Sequence, residues 1–110
     1  MANTFKNAFS ASIGTSAVDV YTVPSATTST IIGASVANIE SSAVNVDVTV
    51  TDTSGTVTAH LVKGAPVPVG GALVVIGGDQ KVVLEATDKI TVTSDTASSI
   101  DAVVSILEQS

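Results

Sequence analysis

The stretch Val44-Asn45-Val46-Asp47-Val48-Thr49-Val50 alternates valine with a polar residue along its whole length. Successive side chains of an extended chain point to opposite faces, so the four valines share one side and Asn45, Asp47 and Thr49 the other. That pattern predicts a half-buried antiparallel strand. Asp52-Thr53-Ser54-Gly55 follows as a turn, with Gly55 available for a positive φ, and Thr56 to Val62 resumes the alternation through Val57, Ala59 and Leu61. The two runs read as a β-hairpin.

Working outward, Asp19 to Val23 is a short strand stopped by Pro24, and Ser29 to Glu40 is a longer one whose Gly33 suggests a bulge or a close backbone approach. Lys63 to Gly71 contains Pro66 and Pro68, which donate no main-chain hydrogen bond, so it is an extended connection or a sheet edge. Ala72 to Ile76, Lys81 to Leu84, Ile90 to Thr93 and Ile100 to Leu107 complete the series. More than a third of the chain is Val, Thr or Ile, the β-branched types that suit a pleated sheet. The expected fold is all-β: a single-domain antiparallel β-sandwich, jelly-roll or Ig-like, of about eight short strands over residues 15–110. Residues 1–14 are expected to be an N-terminal arm or edge segment. Phe5 and Phe9, the two phenylalanines of the chain, share a strand face there. They suit either a strand packing on its own core or an arm inserting both rings into a neighbouring subunit.

With 110 residues, one domain is expected, and with no cysteine it holds no disulfide. The net charge is -6, and the four cations are all lysines, so a nucleic-acid interface is not expected. No run of 18 apolar residues predicts a transmembrane helix, and the first residues lack the basic and apolar regions of a secretory signal. Synthesis in a cytosol is the default, and no membrane partner is expected.

Each motif that touches on chemistry has a plainer role. His60 falls on the outward parity of its strand, and one histidine without cysteine excludes a structural zinc site. Gly33-Ala34-Ser35-Val36-Ala37 lacks the last glycine and the following helix of a nucleophile elbow. In Asp52-Thr53-Ser54-Gly55 the inserted Ser54 breaks the Asp-Thr-Gly of dimeric aspartic proteases, which leaves a turn. The pairs Gly70-Gly71 and Gly77-Gly78 precede no helix and are turn residues rather than phosphate loops. Asp79, Asp88, Asp95 and Asp101 lie in or beside loops without the Asp-x-Asp spacing of a calcium loop, so they read as surface acids. No catalytic residue, cofactor or metal is expected, and the chain reads as a non-enzyme. High-affinity binding leans on Trp, Tyr and Arg, and here Tyr21 alone represents them. Such a surface suits a modest contact repeated by symmetry. Phe5, Phe9 and Tyr21 are the candidate subunit contacts.

The segments Val20-Tyr-Thr-Val-Pro24, Ile31-Ile-Gly-Ala-Ser-Val-Ala-Asn38, Pro68-Val-Gly-Gly-Ala-Leu73, Val83-Leu-Glu-Ala-Thr-Asp-Lys-Ile90 and Val103-Val-Ser-Ile-Leu-Glu108 add a resemblance. Together they resemble small all-β virion proteins of tailed bacteriophages, especially contractile-tailed phages of cyanobacteria. The likeness covers most of the chain, and Thr87 stands where that pattern usually has Gly. It implies a non-enzymatic part of the particle, assembled in the host cytoplasm, with a capsid decoration or cement role ahead of a neck, tail or fibre accessory role. The expected partners are other virion proteins, foremost the major capsid protein, and further copies of the chain itself, a trimer being expected. A host-attachment module binding glycans is the alternative, against which the absence of Trp counts.

Overall fold

The computed structural model describes residues 2–77 and 80–110. Among them nine antiparallel strands form two sheets. They are β1 (Asn3–Ile13), β2 (Val18–Thr22), β3 (Thr28–Asn38), β4 (Val44–Asp52), β5 (Val57–Val67), β6 (Ala72–Ile76), β7 (Val82–Leu84), β8 (Lys89–Ser94) and β9 (Ile100–Gln109). One sheet runs β1-β9-β3-β6, with β7 also pairing β3; the other runs β2-β8-β4-β5. No helix of the described residues is long and apolar enough to cross a membrane.

Both sheets turn an alternating face inward. Val44, Val46 and Val48 of β4 are buried, as are Ile100, Ala102, Val104 and Ile106 of β9, and all belong to one cluster. With little aromatic material available, isoleucine and valine fill the interior, and their stiff side chains lose little rotamer freedom there. Outside, Asn45 and Asp47 point away, as their parity requires.

The segment expected as an arm or edge is the edge strand β1, paired with β9 in continuous register from Asn3↔Gln109 to Ser10↔Ala102. It raises the strand count from about eight to nine. A bulge then follows, where Ser12 takes a positive φ of 57° and donates its N–H to Asp101 Oδ1 at 2.9 Å. The Pro66 segment is the end of β5, an edge strand, where the missing N–H costs no ladder bond. Gly33 marks a bulge against β9; an added Cβ would find its nearest non-adjacent atom, Ile76 O, at an ordinary 3.8 Å, so close approach is not its role.

Two local expectations are corrected. Between β4 and β5 the positive φ falls on Thr56 (53°), not on Gly55. Gly55 is there for room, because a Cβ would come within 3.0 Å of Asp52 Oδ2, the carboxylate that accepts the Gly55 N–H through its other oxygen. The first half of β5 is also exposed on both faces, Val57 and Ala59 included, because the hairpin tip runs past the end of the core. A bulge at Leu61 then sets Val62 opposite Val48.

Thr87 adopts φ 71°, a left-handed conformation that a β-branched residue rarely takes. Its hydroxyl bonds Thr53 Oγ1 at 2.6 Å in partial compensation. Thr87→Gly is expected to raise stability by up to about 1 kcal/mol in a urea melt, the strain released exceeding the exposed hydrogen bond and the added chain entropy. A loss of that size instead would show that the threonine is held there by its contacts. Ile106→Ala, on the strand flanked by both β1 and β3, is expected to cost about 4 kcal/mol in the same measurement.

Candidate functional site

The two outer faces of the sandwich differ in chemistry. On the β2-β8-β4-β5 sheet, Asp19, Asn45, Asp47, Thr49, Thr51, His60, Lys89 and Thr91 share the outward parity. His60 is exposed there, as its parity predicts. Across the molecule the cross-strand pairs Phe5↔Leu107 and Phe9↔Val103 lie on the outside of the other sheet. Val103 pairs Ser35, which pairs Val74, and Leu107 pairs Thr30, which pairs Val83, so apolar residues recur on the far edge across the polar Ser35 and Thr30 of β3. Exposure is 75% for Phe5, 67% for Phe9, 68% for Val74, 64% for Val83 and 43% for Val103. Apart from Asp101 at one end, the paired outward positions of this sheet carry no charge. At roughly 150–250 Å² per phenylalanine, the two rings alone leave a few hundred Å² open, the size at which surface patches begin to mark interaction sites.

Tyr21, the third candidate contact, is engaged within the chain. From β2 in one sheet its hydroxyl donates to Glu108 Oε2 of β9 (2.5 Å) and shares a 2.7 Å bond with Ser29 Oγ of β3, both in the other sheet. Glu108 occupies the inward parity of β9, and its second oxygen meets Lys6 Nζ at 3.3 Å. Burial, then the hydrogen bond to the Glu108 carboxylate, pushes the Tyr21 phenol up to about 12. The group is a polar staple between the sheets. The sequence signal for it was a glutamate closing the inward series Ile100, Ala102, Val104, Ile106.

The acids are gathered differently from their loop positions. Asp88 approaches Asp52 and Glu85, one carboxylate oxygen of each lying within 4.8 Å of the others. They rim an open cleft of about 470 Å³ floored by Val50, Val82 and Leu84. Asp88 is buried, and its oxygens accept the N–H groups of Glu85 and Thr53 at 2.9 and 3.1 Å, which ties two loops together. Ser54's hydroxyl and the Gly55 N–H hold Asp52 below the usual carboxylate range. These are turn-holding roles. Asp95 and Asp101 lie elsewhere, accepting the N–H groups of Asn45 and Ser12. Asp79, with Gly78, falls outside the described residues.

Compared with known protein families, curated proteins and solved structures, the chain matches none, and no such comparison links it to phage virion proteins.

The single tyrosine and the absence of tryptophan make the staple directly readable. Because the folded phenol holds its proton more tightly than an unfolded one, its contribution to stability is intact below about pH 10 and is lost as pH rises through about 12. Tyrosinate absorbance is expected to titrate near 12 in the folded protein, and Glu108→Gln to bring it part of the way back toward 10. A wild-type midpoint near 10 would show that the bond across the sheets is not kept in solution.

Proposed function

We propose that this chain is a non-catalytic structural subunit of a bacteriophage virion, a capsid decoration or cement protein that binds the major capsid protein and further copies of itself. The observation that carries the reading is the group of exposed apolar side chains, Phe5, Phe9, Val74, Val83 and Val103, on an outer face whose one paired charge is Asp101, set opposite a face richer in charge. A domain with one sticky side and one hydrated side suits a subunit seated on a larger assembly, its polar side toward water. The resemblance of five segments to phage virion proteins supports the setting. Contacts of this kind are modest one at a time and hold by repetition.

Copy number tests the assignment. Quantitative mass spectrometry of purified particles, scaled to the major capsid protein, is expected to give hundreds of copies per virion. A few dozen would move the protein to the neck, tail or fibres, and absence would overturn the virion reading. The contact surface is tested by a double substitution, Phe5→Ser with Phe9→Ser. Both side chains are exposed, so the fold should tolerate the change, while rebinding to particles stripped of the protein is expected to weaken at least tenfold. Deleting β1 would be a poorer test, because it would strip β9 of a pairing partner.

A further inference from the structure

We infer that the free edge of β1 is a self-association site, at which two copies of this chain pair their β1 strands antiparallel about a two-fold axis at Asn7. The inference deepens the reading above and rests on its self-assembly part.

A sheet edge presents unpaired N–H and C=O groups, and proteins that remain monomeric blunt it with short strands, proline, bulges or projecting charge. Three of the four outer edges here are blunted. β2 has five residues and a bulge between Asp19 and Tyr21. β5 carries Lys63, Pro66 and a register break. The far edge of the larger sheet is divided between β6, of five residues, and β7, of three. β1 differs in its first eight residues, its own bulge falling only beyond Ser10. It has eleven residues, no proline, and an unbroken register from Asn3 to Ser10. Its one charge, Lys6, lies on the inward parity and is paired with Glu108.

The direction of the main-chain groups fixes which residues can pair. Ala2 and Ser110 exchange both hydrogen bonds, at 2.9 and 3.0 Å, so Ala2 points its N–H and C=O toward the strand beside it. By alternation from Ala2, the odd residues Asn3, Phe5, Asn7 and Phe9 point theirs away from β9, into solvent. An antiparallel pairing about a two-fold brings together residues whose numbers have a constant sum. Centred on Asn7, it sets Asn7 against Asn7 of the second copy and Phe5 against Phe9 of the second copy, in both directions. Every one of these is an odd-with-odd pair with free donors and acceptors on both sides. The same register puts the aromatic rings opposite one another on the outer face, as cross-strand pairs. Lys6 falls opposite Ala8 of the second copy, so the two lysines do not oppose each other. Two-fold contacts are self-complementary and closed, which a strand edge satisfies with no second surface.

The area agrees with a modest affinity. Four rings of roughly 150–250 Å² each, partly covered, plus one strand edge per copy fall below the ~1,600 Å² of a standard interface, the range of micromolar association. The product is a ten-stranded sheet whose two outer faces are continuous, doubling the surface offered to a capsid. A two-fold pair takes the place of the expected trimer as the first unit of assembly.

The test uses the full chain. Sedimentation equilibrium is expected to show a dimer at about 100 µM, and Phe5→Ala or Phe9→Ala to weaken it about tenfold. Asn7→Pro removes the N–H on the axis while an edge position tolerates the ring, so it should give a monomer with an unchanged circular dichroism spectrum. The chain lacks cysteine, so Asn7→Cys reports the axis directly. Residues opposed in a hydrogen-bonded pair have Cα atoms about 5.5 Å apart, within disulfide range, and mild oxidation should link two copies. Asn45→Cys, exposed on central β4, should not link. A monomer at 100 µM, or cross-linking no faster at position 7 than at 45, overturns the inference while leaving particle copy number to judge the virion reading. A dimer from a protein absent from virions does the reverse.

Discussion

The fold depends on one buried face shared by two strands that are far apart in sequence, Val44, Val46 and Val48 of β4 and Ile100, Ala102, Val104 and Ile106 of β9. Each strand lies inside its own sheet, so its two flanks are hydrogen-bonded and only its faces remain to be allotted. Because side chains alternate, assigning one face to the core assigns the other to the exterior. On β4 the exterior positions are polar, whereas on β9 they include Val103 and Leu107. The difference between the two sides of the molecule is thus already written in the outward residues of these central strands.

The polar groups fix what the apolar face leaves free. Hydrophobic burial is non-directional, and valines facing isoleucines do not by themselves set the alignment of two sheets. Directional bonds do so at both ends. Tyr21 reaches Ser29 and Glu108 across the interior, and Asn38 Nδ2 donates to the carbonyls of Ser42 and Val67. The aspartates do similar work at turns, bulges and strand ends: Asp47 accepts from Gly64, Asp52 from Gly55, Asp88 from Glu85 and Thr53, Asp95 from Asn45 and Asp101 from Ser12. Much of the negative charge therefore serves main-chain N–H groups at turns, bulges and strand ends that lack a ladder partner. Asp88, expected as a surface acid, is buried, and its neighbours were missed, because Asp52, Glu85 and Asp88 meet only once β4 and the β7–β8 turn are brought together.

Strand existence and facing were legible because period-two alternation is a local property, and the Val44 to Val50 run states it without ambiguity. The Pro66 segment was legible as an edge for an equally local reason, a missing donor. Strand order was not legible, since most connections cross between the sheets and nothing in a short loop names its destination. The residue bearing the positive φ of the β4–β5 turn was missed because Asp52, not the conformational freedom of Gly55, dictates that turn. For Phe5 and Phe9, parity showed that they share a face but not which one. Only the pairing of β1 with β9 decides it, by placing Ala8 inward beside Val104 and the rings outward beside Leu107 and Val103.

That placement bears on why the edge of β1 is left open. A phenylalanine on the outside of an edge strand gains little from its own fold, and its exposure is a solubility cost. Elsewhere this chain limits such costs, with a divided edge at β6 and β7, a broken one at β5 and a short one at β2. A proline-free stretch of unbroken register and the exposed rings occur together, on the same eight-residue run, with the rings spaced so that a two-fold through Asn7 exchanges them. Neither feature alone would distinguish an interface from tolerated exposure. Their coincidence does, because an antiparallel edge can satisfy its main-chain groups and cover its aromatic side chains in a single register, and Asn7 is the centre that meets both demands.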